Sequence, residues 1–82
     1  KLAHELGPYG VNVNAIAPSL TLTERLRPRW DGWNDARKAE ERAKHPLRRV
    51  ADALDQARGI CFHASADADF VTAVTIDVTG GI

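Results

Sequence analysis

Eighty-two residues, 44% hydrophobic and 27% charged, make at most one small globular domain, and a formal net charge of zero excludes a chain-wide basic or acidic surface for nucleic acid or anionic lipid. No apolar run approaches the ~18 residues of a membrane span, and Lys1 leads into an amphipathic stretch rather than an apolar leader. A single cysteine, Cys61, excludes an intrachain disulfide and fits a reducing compartment, so the expected location is cytoplasmic.

Leu2, Ala3 and Leu6 stand at helical spacing, and Gly7-Pro8 ends that helix because proline cannot continue it. Val11 to Ala17 alternates, with Val11, Val13, Ala15 and Ala17 on one side and Asn12, Asn14 and Ile16 on the other. That pattern predicts a strand, closed by Pro18. Asn14 is unusual inside a strand and is expected to tie neighbouring loops through its side chain. Thr21-Leu22-Thr23-Glu24 has the T-x-x-E form of a capping box and predicts a helical turn, interrupted at Pro28. Trp30-Asp31-Gly32-Trp33 reads as a loop carrying two large aromatics.

Asn34 is the expected N-cap of a charged helix to Lys44. Only Ala36, Ala39 and Ala43 are apolar there, so the helix should face solvent, with Arg37–Glu41 and Glu40–Lys44 spaced for i,i+4 pairing. His45-Pro46-Leu47 breaks it. Asp52 is the next N-cap, of a helix to about Ser65 whose Ala53, Ala57, Ile60, Cys61 and Ala64 share one face, with Cys61 read as a small core residue. Val71 to Val78 is β-branched and alternating, a second strand, followed by Gly80-Gly81.

Helix, strand, helix, helix, strand contains a βαβ unit, which predicts parallel pairing of the two strands. A parallel sheet needs both faces covered, and two strands with these helices do not supply that. The chain therefore reads as part of a longer domain. His4, His45 and His63 have no metal-ligand spacing, and no metal site is expected.

Taken in order, several of these segments are similar to the C-terminal half of the short-chain dehydrogenase/reductase family. Leu2, Ala3, Glu5, Leu6, Gly7, Gly10 and Val11 match its L-A-x-E-L-G-x-x-G-I/V, and Val13-Asn14-Ala15-Ile16-Ala17-Pro18-Ser19 its V-N-x-I-x-P-G. Pro46, Leu47 and Arg49 match P-L-x-R. Phe62, Ala64 and Ser65 fall on F-L-A-S, and Phe70, Val71, Thr72, Val78, Gly80 and Gly81 on the closing Y/F-V-T-G…V-D-G-G. Members resembling 3-oxoacyl-carrier-protein reductases look most similar. The chain departs from the pattern at Ser19 (usually Gly), Ala51 and Ala53 (Gly and Pro), His63 (Leu), Ala73 (Gly) and Thr79 (Asp).

The resemblance implies an α/β fold: the C-terminal fragment of a doubly wound parallel-sheet, Rossmann-like domain, with two parallel strands and crossover helices. Residues 1–82 would be the C-terminal part of a single nucleotide-binding domain whose N-terminal part is absent. It implies an NAD(P)-dependent oxidoreductase that transfers hydride between the nicotinamide and a carbonyl or secondary alcohol. Pro18, Ser19, Thr21 and Thr23 fall on the family's cofactor loop, and the segment after it on the substrate lid, where Trp30 and Trp33 would line the substrate, pack onto the absent half or form a subunit contact. The family's Gly-rich turn, Ser, and Tyr-x-x-x-Lys match nothing here. Tyr9 lies in a turn, and Lys1 stands about three helical turns after the family's lysine, so no catalytic residue is assigned. Alone, the chain is expected neither to turn over nor to bind NAD or NADP. The implied partners are a small carbonyl or alcohol substrate and further copies of the same protein, with neither nucleic acid nor membrane. A second reading, from another class, is a non-catalytic truncated copy that serves as an interaction or oligomerisation module through exposed strand edges.

Overall fold

The structure, a computed structural model, describes residues 1–82. Helix α1 (Leu2–Leu6) tightens into a 3₁₀ turn at Gly7–Tyr9 and leaves through Gly10. Gly10 has φ 76°, a left-handed value that glycine adopts at no steric cost. Next come β1 (Ala15–Pro18), β2 (Thr21–Leu22), α2 (Arg27–Asp31), α3 (Asp35–Ala43), β3 (Ala51–Asp52) and α4 (Ala53–Ala64). A second 3₁₀ turn at Ala66–Ala68 precedes β4 (Thr75–Val78).

Strands β1 and β4 pair in parallel, from Ala15 opposite Thr75 to Pro18 opposite Val78, as the βαβ order predicts. Both are shorter than their alternation suggests, because upstream side-chain groups interleave with the backbone bonds Ala15 N–H to the Val74 carbonyl and Ala73 N–H to the Val13 carbonyl. The Val13 N–H donates to Thr72 Oγ1 at 3.0 Å, and the Asn14 Nδ2 donates to the Val71 carbonyl at 2.8 Å. Asn14 Oδ1 accepts from the Val74 N–H at 3.2 Å. Asn12 Nδ2 reaches the carbonyls of Ala68, Asp69 and Val71. Short amide side chains offer the backbone alternative partners in this way, so Asn14 has the bracing role expected of it. The crossing also holds Ala73 at φ 61°, where an L side chain is strained.

A second parallel pair, Thr21 with Ala51 and Leu22 with Asp52, overturns the capping-box expectation. Thr21 and Leu22 are strand, and Thr23 instead opens the turn before α2, its hydroxyl accepting from the Leu26 N–H at 3.3 Å. Pro28 sits in the first turn of α2, where its missing N–H costs nothing, instead of interrupting a helix. Trp30 and Asp31 are therefore helical, not loop. The other caps are where they were expected. Asn34 accepts from the Arg37 N–H at 2.8 Å, and Asp52 forms a reciprocal capping box with Asp55. In α3 the i,i+4 ion pairs give way to Lys44–Glu41 at 3.2 Å, while Arg37 lies over the Trp33 ring, 4.2 Å from its centroid.

Helix α4 meets the sheet by a different face from the one its apolar spacing suggests. Asp55, Gln56, Gly59 and His63 are half-buried, whereas Ala53, Ala57, Ile60, Cys61 and Ala64 are exposed. Gly59 is the reason. A Cβ there would lie 3.0 Å from Val78 Cγ2 and 3.7 Å from Ile16 Cγ2, so the missing side chain lets the helix settle on β4 and β1. The core reading of Cys61 is corrected accordingly. Only Ala3, Trp30, His45 and Ala68 are fully buried. The radius of gyration is 16.1 Å, against about 12 Å for a compact chain of this length. No helix is long and apolar enough to cross a membrane.

Candidate functional site

Parallel pairing places the carboxyl ends of β1 and β4 side by side, the position where open α/β sheets bind ligands. From that end run the loop through Thr23 and the segment Thr79–Gly81. Gln56, one turn into α4, reaches between them. Its Nε2 donates to the Val78 carbonyl at 2.9 Å and to Thr21 Oγ1 at 3.2 Å. The Thr21 hydroxyl donates to the Ser19 carbonyl at 3.0 Å, and the Ser19 hydroxyl to the Thr79 carbonyl at 3.5 Å. Pro18, Ser19, Thr21 and Thr23 thus sit in one braced loop, but their hydroxyls are unequally committed. Thr21 has spent its proton and one lone pair inside the chain. Thr23 accepts from Leu26 and keeps its own O–H free of any partner in the chain. Gln56 Oε1 is buried with no donor facing it.

The β4 end also borders a cleft of ≈ 460 Å³ whose walls include Leu47, Arg49, Asp55, Thr79 and Gly80. Arg49 grips Asp55 through two bonds of 2.7 and 2.9 Å, the forked geometry of a guanidinium on a carboxylate. Those bonds, with the Asp52 N–H, hold the Asp55 carboxyl well below the usual carboxylate range; the same pairing raises the Arg49 guanidinium. Asp55 therefore stays ionised and fixes the chain instead of trading protons. Gly81 passes so close to Pro46 that a Cβ would lie 2.8 Å from Pro46 Cγ, and the Leu47 N–H donates to the Gly80 carbonyl at 3.0 Å. His45 is sealed beside this crossing. Its Nδ1 lies 3.0 Å from the Glu41 carbonyl, which only accepts, so Nδ1 carries the proton; Nε2 is buried without a partner.

Beyond the loop, α2 carries Trp30 and the bend between α2 and α3 carries Trp33, with ring centroids 5.5 Å apart. Arg42 and Lys38 approach the Trp30 ring at 5.4 and 5.8 Å. Leu20, Leu22, Leu26, Arg29, Trp30 and Trp33 enclose a small pocket of ≈ 150 Å³. Two of its walls, Leu20 and Leu22, come from the braced loop itself. The residues that sequence reasoning missed are Gln56, the Arg49–Asp55 fork and the leucine wall. Asp52-x-x-Asp55 carried a local signal, the spacing of a capping box. The reach of Gln56 carried none, because its partners lie 22 and 35 residues away.

Residues 1–82 match the family described as enoyl-(acyl carrier protein) reductase. The chain is 40% identical over 81 residues to a cyclohexanol dehydrogenase of Rhodococcus sp. (strain TK6), covering 99% of this chain and 29% of that protein. It is similar to the NADPH-bound structure of a short-chain oxidoreductase of Pseudomonas aeruginosa PAO1 with an atypical catalytic centre. There the TM-score is 0.83 at 34% identity, over 99% of this chain and 32% of that one. It is also similar to an NAD-bound 3-oxoacyl-(acyl-carrier protein) reductase of Brucella melitensis, with a TM-score of 0.78 at 33% identity, over 99% and 27%. The chain spans less than a third of the length of the curated relatives it matches. Parallel pairs, braced strand-end loop and these similarities, all running the length of the sequence, agree: the chain belongs to the short-chain dehydrogenase/reductase family.

Proposed function

We propose that residues 1–82 are the C-terminal part of one Rossmann-like domain of an NAD(P)-dependent oxidoreductase acting on a small carbonyl or secondary alcohol. Within it they form one wall of the nicotinamide pocket and the substrate lid. The observation that carries this reading is the division of labour in the β1 loop, where Thr21 is consumed as a brace and Thr23 keeps a donor. The cofactor, when bound, would supply the hydride as NADH or NADPH to a carbonyl, or accept it as NAD+ or NADP+ from a secondary alcohol. The chain's own work is to fix the plane of an amide. Pro18 restricts the backbone, Ser19 and Thr21 stiffen the loop through Thr79 and Gln56, and the Thr23 hydroxyl donates to a carboxamide or phosphate oxygen. Chemistry at the substrate falls to residues outside this chain.

The test is cofactor affinity in the protein made from the full reading frame. Thr23→Val removes the free donor and should raise the cofactor KM about tenfold, the size of one hydrogen bond, while the lost acceptor for the Leu26 N–H lowers melting temperature by a few degrees at most. Thr21→Val should do the reverse, lowering melting temperature first. Equal cofactor KM in wild type and Thr23→Val would sink the assignment. The 82-residue chain alone should bind NADH and NADPH negligibly by fluorescence titration.

A second part of the reading is self-association, favoured by the outward face of α4. Ala53, Ala57, Ile60, Cys61 and Ala64 form an apolar strip left in solvent, and a second copy would cover it. Ile60→Glu should then shift the sedimenting mass downward. Such association is also what a non-catalytic, truncated copy would retain, and absence of turnover from the full reading frame would favour that alternative. The free Cys61 keeps the expected location cytoplasmic.

A further inference from the structure

The net charge of zero hides a strong segregation. Residues 25–49 hold nine of the eleven Lys and Arg but four of the eleven Asp and Glu, a formal charge of +5 against −5 for the rest of the chain. In this stretch only Lys44 and Arg49 are paired with carboxylates. Arg37, Lys38 and Arg42 lie over the tryptophan rings, and Arg48 Nη1 donates to the carbonyls of Ala43 and His45. Arg29 has none of these attachments. It is exposed, and it is the one charged residue lining the apolar pocket of Leu20, Leu22, Leu26, Trp30 and Trp33.

Size and charge together define what fits. A dry cavity of about 150 Å³ lined by Leu, Ile and Phe accepts benzene, which sets the scale at one six-membered ring. A guanidinium at the rim favours an oxyanion, which it can grip with two parallel bonds. The lining offers one guanidinium, Arg29, whose two parallel donors match the two oxygens of a carboxylate. Building on the oxidoreductase reading, we propose that the lid selects ketones or secondary alcohols with a single-ring or similarly compact apolar body and a carboxylate. The ring enters between the leucines and the two tryptophans, and Arg29 takes the carboxylate. Because Leu20 and Leu22 belong to the β1 loop, seating the ring also places the substrate beside the proposed nicotinamide wall.

The experiment compares 4-oxo-4-phenylbutanoate with its methyl ester as substrates of the protein from the full reading frame, using NADH and NADPH. In parallel, calorimetric binding of 4-phenylbutanoate and 4-phenylbutanamide is measured without cofactor. The acid should be preferred about tenfold or more in both assays, through KM rather than kcat. Arg29→Gln should abolish the preference while leaving binding of the amide unchanged, and Arg29→Lys should restore part of it. Arg58→Gln, which removes the same charge from α4, should leave it intact. Equal binding of acid and amide, or an Arg29→Gln variant that weakens both alike, overturns the proposal. Arg29-dependent binding of the acid without reduction by either nucleotide keeps the proposal and overturns the oxidoreductase reading. Reduction of acid and ester with equal kcat/KM does the opposite.

Discussion

The sheet end and the lid are held together by opposite chemistry. Around β1, β4 and α4 the joints are amides and carbonyls with fixed directions: Asn12, Asn14 and Gln56 each bridge segments far apart in sequence. In α2 and α3 the joints are cations over indole rings, which tolerate sliding and rotation. Directional bonds locate atoms, as a cofactor wall requires. Stacked cations adapt, as suits the proposed lid. The contrast predicts that small changes in shape are felt strongly at the sheet end and weakly in the lid.

Adding bulk should break the comparison most visibly. Gly59→Val would drive a branched side chain into Val78 and Ile16, with a first carbon already at the 3.0 Å limit. Overpacking of this kind costs about 2–3 kcal/mol, and by lifting α4 it would also pull Gln56 from Thr21. Ala39→Val, at an exposed site on α3, should cost under about 1 kcal/mol in a denaturant titration, the helix propensity of a β-branched residue. A Gly59→Val protein as stable as Ala39→Val would mean that α4 is not seated on the strands.

Next in size is the amide brace. Gln56→Leu keeps the volume but strips the donor from the Val78 carbonyl and Thr21, at a cost of about 1–2 kcal/mol. It should also loosen the β1 loop, so hydrogen exchange at Thr23 and Leu26 should quicken while α3 amides exchange as before. Exchange unchanged at the loop would show that Gln56 braces nothing.

What the sequence disclosed and what it concealed follow the same division. The caps at Asn34 and Asp52 were legible because each is satisfied within three residues. Parallel pairing was legible because the order of elements leaves little choice. The two-residue β2–β3 pair was not, since nothing local marks a strand whose partner lies 30 residues on. The orientation of α4 is hidden too, because Gly59 sets it, and what Gly59 contributes is a missing side chain. Uncovered apolar residues on α4 then read as core when they are surface.

Ala73 turns a departure in the sequence into a number. It stands at the Gly of the Y/F-V-T-G pattern that the sequence resembles, and the structure holds it at φ 61°. Ala73→Gly should therefore stabilise the sheet end by about 1 kcal/mol, relief of left-handed strain outweighing the extra chain entropy of glycine. Arg48, at φ 59°, is the matching test at the lid's exit. Its side chain donates to two carbonyls, so Arg48→Gly should gain less, because the substitution removes those bonds along with the strain. Equal gains at both sites would show that the Arg48 bonds contribute nothing.

The smallest expected effect lies where the two regions join. Arg49 leaves the lid, Asp55 opens α4, and their pairing with the Asp52 cap depresses the Asp55 carboxyl. A carboxyl whose folded-state pKa is lowered adds stability above its unfolded value of about 3.9, and that stability drains away as pH falls through the folded value. Arg49 is largely in solvent, so water and salt screen the pair. Wild type should therefore melt a few degrees above Asp55→Asn at pH 7 in low salt. Below pH 4 the two curves should converge, and 0.5 M salt should narrow the gap at neutral pH. A gap that persists undiminished to pH 2 would mean that Asp55 acts through shape and capping alone, and that charge does not hold lid to sheet.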